Sequence, residues 1–160
     1  MRRDTRGFSL IELLIVVAII LIIAAIAIPN LMRSRIAANQ ASAIGSCRII
    51  NTAEVTYSSS YGQGYTTTLL QLGPPASGPI TASAAGLIDS VLAAGSKSGY
   101  NFSYSPQLPD SRGYYNGFVV NANPATIGQT GTAYYFSDQT LVIRGSTTGV
   151  ASAADSPVAQ

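Results

Sequence analysis

Residues 8–28 read FSLIELLIVVAIILIIAAIAI, an apolar run in which Glu12 is the only charge. Its length matches the ~20 residues an α-helix needs to cross ~30 Å of hydrocarbon. An ionised carboxylate inside such a run is expensive, on the order of a few kcal/mol even on mild insertion scales. No basic residue lies within the run to pair with it. The partner of Glu12 is therefore expected on another molecule or at a chain end, which points to assembly rather than to catalysis.

The segment in front narrows the choice. Met1–Gly7 (MRRDTRG) is short, basic and hydrophilic, and ends on a Gly directly before Phe8. Arg2, Arg3 and Arg6 ahead of an apolar helix place that side in the cytoplasm by the positive-inside rule. A secretory signal peptide would have a core of ~7–15 residues and a small-residue cleavage site after it. The run here is longer, and Ile28-Pro29-Asn30 does not fit such a site. A plain single-pass anchor accounts for the run but leaves Glu12 and the Gly7–Phe8 junction unexplained.

Arg6-Gly7-Phe8-Ser9-Leu10-Ile11-Glu12-Leu13-Leu14 resembles the cleavage and N-methylation motif of type IV pilins and of type II secretion pseudopilins. The resemblance covers about the first thirty residues directly, and beyond them it is one of architecture. It implies that a membrane aspartic peptidase, the prepilin peptidase and N-methyltransferase, cuts between Gly7 and Phe8 and methylates the new amine on Phe8. It also implies that Phe8 and Glu12 are the docking pair of a helical homo-polymer. Other implied partners are an inner-membrane assembly platform, minor pilins and, before assembly, the membrane itself.

The physics of that pairing stands by itself. A free amine on Phe8 is cationic near neutral pH, and in an apolar helix bundle both it and the Glu12 carboxylate are poorly solvated. Pairing them between subunits neutralises both. Removing one leaves a buried charge uncompensated, at roughly 3–5 kcal/mol. Cleavage also changes the charge balance: nine basic and seven acidic residues lose Arg2, Arg3, Arg6 and Asp4, leaving six of each. No basic cluster survives beyond Arg33 and Arg35, so nucleic-acid binding through counterion release is not expected.

The expected fold class is α+β, with a long N-terminal α-helix packed against a small antiparallel β-sheet head. The helix is transmembrane in its first half and amphipathic in its second. Residues 1–7 form the cleaved leader and 8–28 the transmembrane or filament-core helix. Residues 29–61 form an amphipathic stalk on which Ile36, Ala43, Cys47, Ile50 and Tyr57 recur at helical spacing. Together 8–61 would make one helix of roughly 80 Å at ~1.5 Å per residue. Pro29 lacks a backbone donor and clashes with the preceding turn, so a kink is expected there. Many members of the family carry a Gly upstream, where this chain reads Leu21; a long unwound stretch is accordingly not expected.

Residues 62–98 read as a connecting region. Leu69, Leu70 and Leu72 would anchor it, Ala82–Ala94 would form a short helix with Leu87, Val91 and Leu92 on one side, and Gly95 would stop it. Lateral subunit contacts are expected to draw on this segment. The head, 99–145, shows four strand-like stretches: Gly99–Ser105, Tyr114–Ala122, Thr132–Ser137 and Thr140–Arg144. Asp138-Gln139 reads as a tight turn joining the last two. The small, polar tail 146–160 is expected to be mobile.

Catalytic chemistry is poorly represented. There is no His and one Cys, which excludes His-based triads and Cys/His zinc sites. Cys47 has no partner for a disulfide and reads as a small core hydrophobe. Asp89, Asp110, Asp138 and Asp155 are scattered. The calcium site that some major pseudopilins hold through clustered oxygens therefore has no dense ligand set here; no cofactor is expected, with calcium as the alternative. Asn101-Phe102-Ser103 matches a glycosylation sequon but falls on an expected strand, and tyrosines in strands read first as packing residues. The chain thus reads as a non-enzymatic structural subunit of a type IV pilus. It would sit in the inner membrane with its N-terminus cytoplasmic and later in an extracellular filament. The alternatives are the major pseudopilin of a type II secretion system, in a periplasmic filament, and a membrane-anchored binding module that keeps its leader.

Overall fold

The computed structural model describes residues 8–158. The expected leader, with Gly7, lies outside the described residues. The chain forms two compact units, residues 1–35 and 36–160. In the first, Leu10 opens helix α1 (Leu10–Tyr61, 52 residues), which passes through Pro29 as a helix. Nearly every side chain from Phe8 to Arg35 is exposed, the apolar ones included.

The second unit is built around the later turns of α1. Ala43, Cys47, Ile50 and Tyr57 are buried as their spacing requires, while Ile36 is half-buried. They pack on a five-stranded antiparallel meander: β1 (Ser96–Lys97), β2 (Tyr100–Pro109), β3 (Tyr115–Pro124), β4 (Tyr134–Asp138) and β5 (Arg144–Ser146), in sequential order. The register sets Phe102 opposite Ala122, Tyr104 opposite Val120, and Ala122 opposite Tyr135. Strand alternation therefore turns Tyr100, Phe102, Phe118, Val120, Ala122 and Tyr135 onto one face, and these residues form the core with α1. The architecture is α+β, a long helix with an antiparallel sheet.

Polar side chains also tie α1 to the head. Asn39 donates to the Thr130 carbonyl at 2.9 Å, and Ser42 donates to the Ser98 hydroxyl at 2.9 Å. Gln40, its carboxamide oriented by its neighbours, accepts from the Thr132 hydroxyl and from the Thr132 and Ala133 amides. Asn51 accepts from Ser137 at 2.9 Å and donates to the Leu141 carbonyl at 3.2 Å.

Several expected elements are corrected. Of the helix expected at Ala82–Ala94 only α2 (Ser90–Ala93) forms, capped by the Asp89 carboxylate on the Leu92 amide. Upstream, the amides of Ala85, Gly86, Leu87 and Ile88 instead donate to carbonyls of Gln71–Gly73, beside a 3-10 turn at Leu69–Leu72. Gly86, at φ +63°, takes a conformation no helix contains. Ile88 and Leu92 are buried while Val91 is exposed, and in the 3-10 turn Leu69 and Leu72 anchor the loop while Leu70 faces out.

The final strand is also displaced. Thr140–Ile143 is irregular and pairing starts at Arg144, because Asp138 accepts from the Thr140 amide and Leu141 sits at φ +65°. The connection after β4 is consequently longer than the Asp138-Gln139 turn. The tail is docked rather than loose through its described length. Gly145 donates to the Ser156 carbonyl at 3.1 Å, Val158 to the Ile143 carbonyl at 2.8 Å and Arg144 Nη1 to the Asp155 carbonyl at 2.9 Å. Ala151 is buried. Backbone pairing, which composition does not report, holds these residues.

Candidate functional site: the start of the long helix

Ser9 precedes the first helical residue, and Glu12 stands three residues further on. Glu12 Oε2 accepts from the Ser9 amide at 2.9 Å. This is the reciprocal half of a capping box, in which an acidic side chain in the first turn satisfies an orphan donor at the helix start. The negative charge also sits where the helix dipole favours it. The expectation from the sequence places the partner of Glu12 on another molecule or at a chain end; the Ser9-x-x-Glu12 spacing is the signal for the local cap.

Only one carboxylate oxygen is engaged by that bond. Oε1 carries no hydrogen bond among the described residues. Phe8, at the position expected to bear the new amine, is 84% exposed and precedes the cap. Cleavage after Gly7 would leave the Ser9–Glu12 bond in place. The geometry brings Glu12 to its own helix start and leaves one acceptor for a second partner. Gly7 itself lies outside the described residues.

Below this start, α1 contains an 18-residue window with mean hydropathy 3.3, none of it buried. By length and composition it is long and apolar enough to cross a membrane. Pro29, near its end, contributes no backbone amide, so the carbonyl one turn earlier at Ala25 loses its usual donor. Ser34 donates back to the Asn30 carbonyl at 3.0 Å. Arg33 and Arg35 follow, exposed.

The four described aspartates are occupied locally. Asp89 pairs with Lys97 at 2.7 Å, and that bond, with the Leu92 amide, holds its carboxyl below the usual range. Asp110 accepts from the Tyr114 amide, the main cause of its lowered carboxyl, and from Arg112. Asp138 turns onto Thr140, and Asp155 onto Ser152. Among the described residues no group of three or more His, Cys, Asp or Glu side chains is placed to hold a metal ion. Cys47 is buried in the core, and burial pushes its thiol up to about 12.

On the outward side of the second unit, two shallow grooves of about 290 and 440 Å³ flank a ridge of Arg48, Thr52 and Thr56. Thr52 and Thr56 spend their hydroxyls on carbonyls of their own helix, at 3.0 and 2.8 Å. The ridge therefore presents methyl groups and one guanidinium.

Comparisons with known proteins bear on the helix start. Residues 2–28 match the family model described as the prokaryotic N-terminal methylation motif. The chain is similar to the type IV wide pilus major component PilA4 of Thermus thermophilus, with 62% identity over 37 residues. That match covers 23% of this chain and 28% of the relative, so it spans less than a third of the relative's length. No solved structure matches the chain. At its N-terminus the chain carries the prepilin-type methylation segment found in the type IV pilin and pseudopilin class.

Proposed function

We propose that the chain is a pilin, the structural subunit of a type IV pilus, which polymerises into a surface filament after its leader is removed. One observation carries the reading. The matched methylation motif runs into the start of α1, where the apolar side chains of residues 8–28 are exposed on every side and Glu12, in the first turn, is the one acid of that stretch. A helix apolar all round is adapted to lipid or to the core of a bundle. It has no place in water, so the mature subunit passes from membrane to filament.

In this reading a prepilin peptidase and N-methyltransferase cuts between Gly7 and Phe8 and methylates the Phe8 amine. That cationic amine meets the free oxygen of Glu12 on a neighbour, while the other oxygen keeps its cap. Attraction between poorly solvated charges sets the register of each incoming subunit. Pro29 supplies the point at which the helix can bend as it leaves the bilayer. The ridge of Arg48, Thr52 and Thr56, together with the connecting segment, would face other subunits. The subunit does mechanical and display work, with no catalytic role of its own.

The pilus reading is favoured over the pseudopilus because the similar protein is named as a pilus component. Shearing cells and collecting released filaments tests it. The expected result is this chain as a main protein of long extracellular filaments. Recovery only from periplasm or envelope would replace the reading with a pseudopilin or an anchored module.

A further inference from the structure

Glu54 lies on the inner stripe of α1 and is fully buried, at 0% exposure. Its Oε2 accepts from the Thr66 amide at 3.0 Å. Three further oxygen–oxygen contacts follow: Glu54 Oε1 to Thr66 Oγ1, Thr66 Oγ1 to Tyr104 Oη at 3.1 Å, and Tyr104 Oη to the Thr66 carbonyl at 2.9 Å. Each needs one proton. The phenol proton of Tyr104 goes to the carbonyl, which can only accept. The Thr66 hydroxyl has a single proton, so it cannot serve both Glu54 and Tyr104. The network is one proton short unless the carboxyl supplies it.

We infer that Glu54 is a neutral carboxylic acid at neutral pH, donating to Thr66 Oγ1, and that this one proton latches α1, the loop 62–68 and strand β2 together. The neutral form places its carbonyl oxygen on the Thr66 amide and its hydroxyl on Thr66 Oγ1. Thr66 then passes its own proton to Tyr104, and every oxygen is satisfied.

The surroundings agree. The titratable groups facing Glu54 are Tyr57 on its own helix and Tyr104 from β2, neither of them cationic. The ion pairs among the described residues, Lys97–Asp89 and Arg112–Asp110, lie elsewhere. Burial pushes the carboxyl above its usual range, only partly offset by its bonds to Thr66. Burial also raises the Tyr104 phenol, which keeps it a donor. A carboxyl raised in the folded state contributes stability in full below its unfolded value, and that stability is lost as pH rises through the folded value. Alkaline conditions would leave an unpaired charge in the core, and releasing the loop would be the way to hydrate it. Tyr65 would lose its bond to the Tyr115 carbonyl, now 2.8 Å, with that release.

The inference concerns the folded subunit and holds whether or not it assembles. The chain has two glutamates, Glu12 and Glu54. In a full-length Glu12→Gln background labelled with ¹³C at the glutamate carboxyl, in detergent micelles, one resonance reports Glu54 alone. We expect it to show no titration step in the ordinary glutamate range and to remain protonated at neutral pH. In Glu54→Gln, whose amide donates permanently, the decline of thermal stability with rising pH should disappear. A resonance titrating in the ordinary range, or an unchanged pH slope in Glu54→Gln, would overturn the latch.

Discussion

The two glutamates of this chain show how place decides the chemistry of one side chain. Glu12 stands at an exposed helix start, capped on one oxygen and, among the described residues, without a hydrogen bond on the other. Capping and docking make different demands, and substitution separates them. Glu12→Gln keeps an acceptor for the Ser9 amide, as a capping box allows, but removes the charge. Glu12→Ala loses both, adding the loss of the capping-box bond, about 0.3–1.5 kcal/mol. Both variants should insert into the membrane. Both should lower filament yield by at least about tenfold, since uncompensated burial of the partner amine costs more than the ~1.4 kcal/mol that tenfold represents. Quantifying sheared filaments against membrane-inserted subunit checks this; wild-type yield from Glu12→Gln would remove the docking charge from the account. Glu12 was legible in the sequence because a charge stands out in an apolar run. Glu54 was not, although it occupies the step of the stripe between Ile50 and Tyr57, because a carboxylate on a helix is ordinarily solvated.

Elements were legible where one physical pattern dominates. Helix α1 follows from an unbroken apolar run continuing into an amphipathic stripe, and β2, β3 and β4 from clustered aromatic and β-branched residues. The segment 82–94 misled because helix-compatible composition competes with tertiary bonds to Gln71–Gly73, and the latter win. The tail misled because its small residues hide a backbone pairing with Ile143 and Gly145. The loop after α1 depends on a close approach that composition also conceals. Gly64 sits at φ +72°, and a Cβ there would stand 2.2 Å from the Tyr115 carbonyl oxygen. Gly64→Ala therefore has no relaxed solution without moving the loop from β3. It should destabilise the subunit by roughly 1–3 kcal/mol, read as a lowered midpoint in thermal unfolding. Gly62→Ala, with open space at its Cβ position, carries only the backbone penalty and should cost less.

At the scale of the molecule, two units divide the work. Residues 36–158 bury a core of helix and sheet, and Asn39, Gln40, Asn51 and Glu54 tie the helix to the rest of the unit by hydrogen bonds. Residues 8–35 present the reverse, a helix with its apolar surface exposed. At about 25 cal/mol per Å² of apolar area, such a surface is strongly driven out of water. In the function proposed above it passes first into lipid and then against copies of itself, so that assembly completes the subunit. In the proposed function, assembly begins at a processed Phe8. Intact-mass and N-terminal fragment analysis of this chain from sheared filaments tests it most directly. The expected filament subunit starts at Phe8 and carries one methyl group on its amine; a filament subunit retaining Met1–Gly7 would rule out assembly from a processed Phe8.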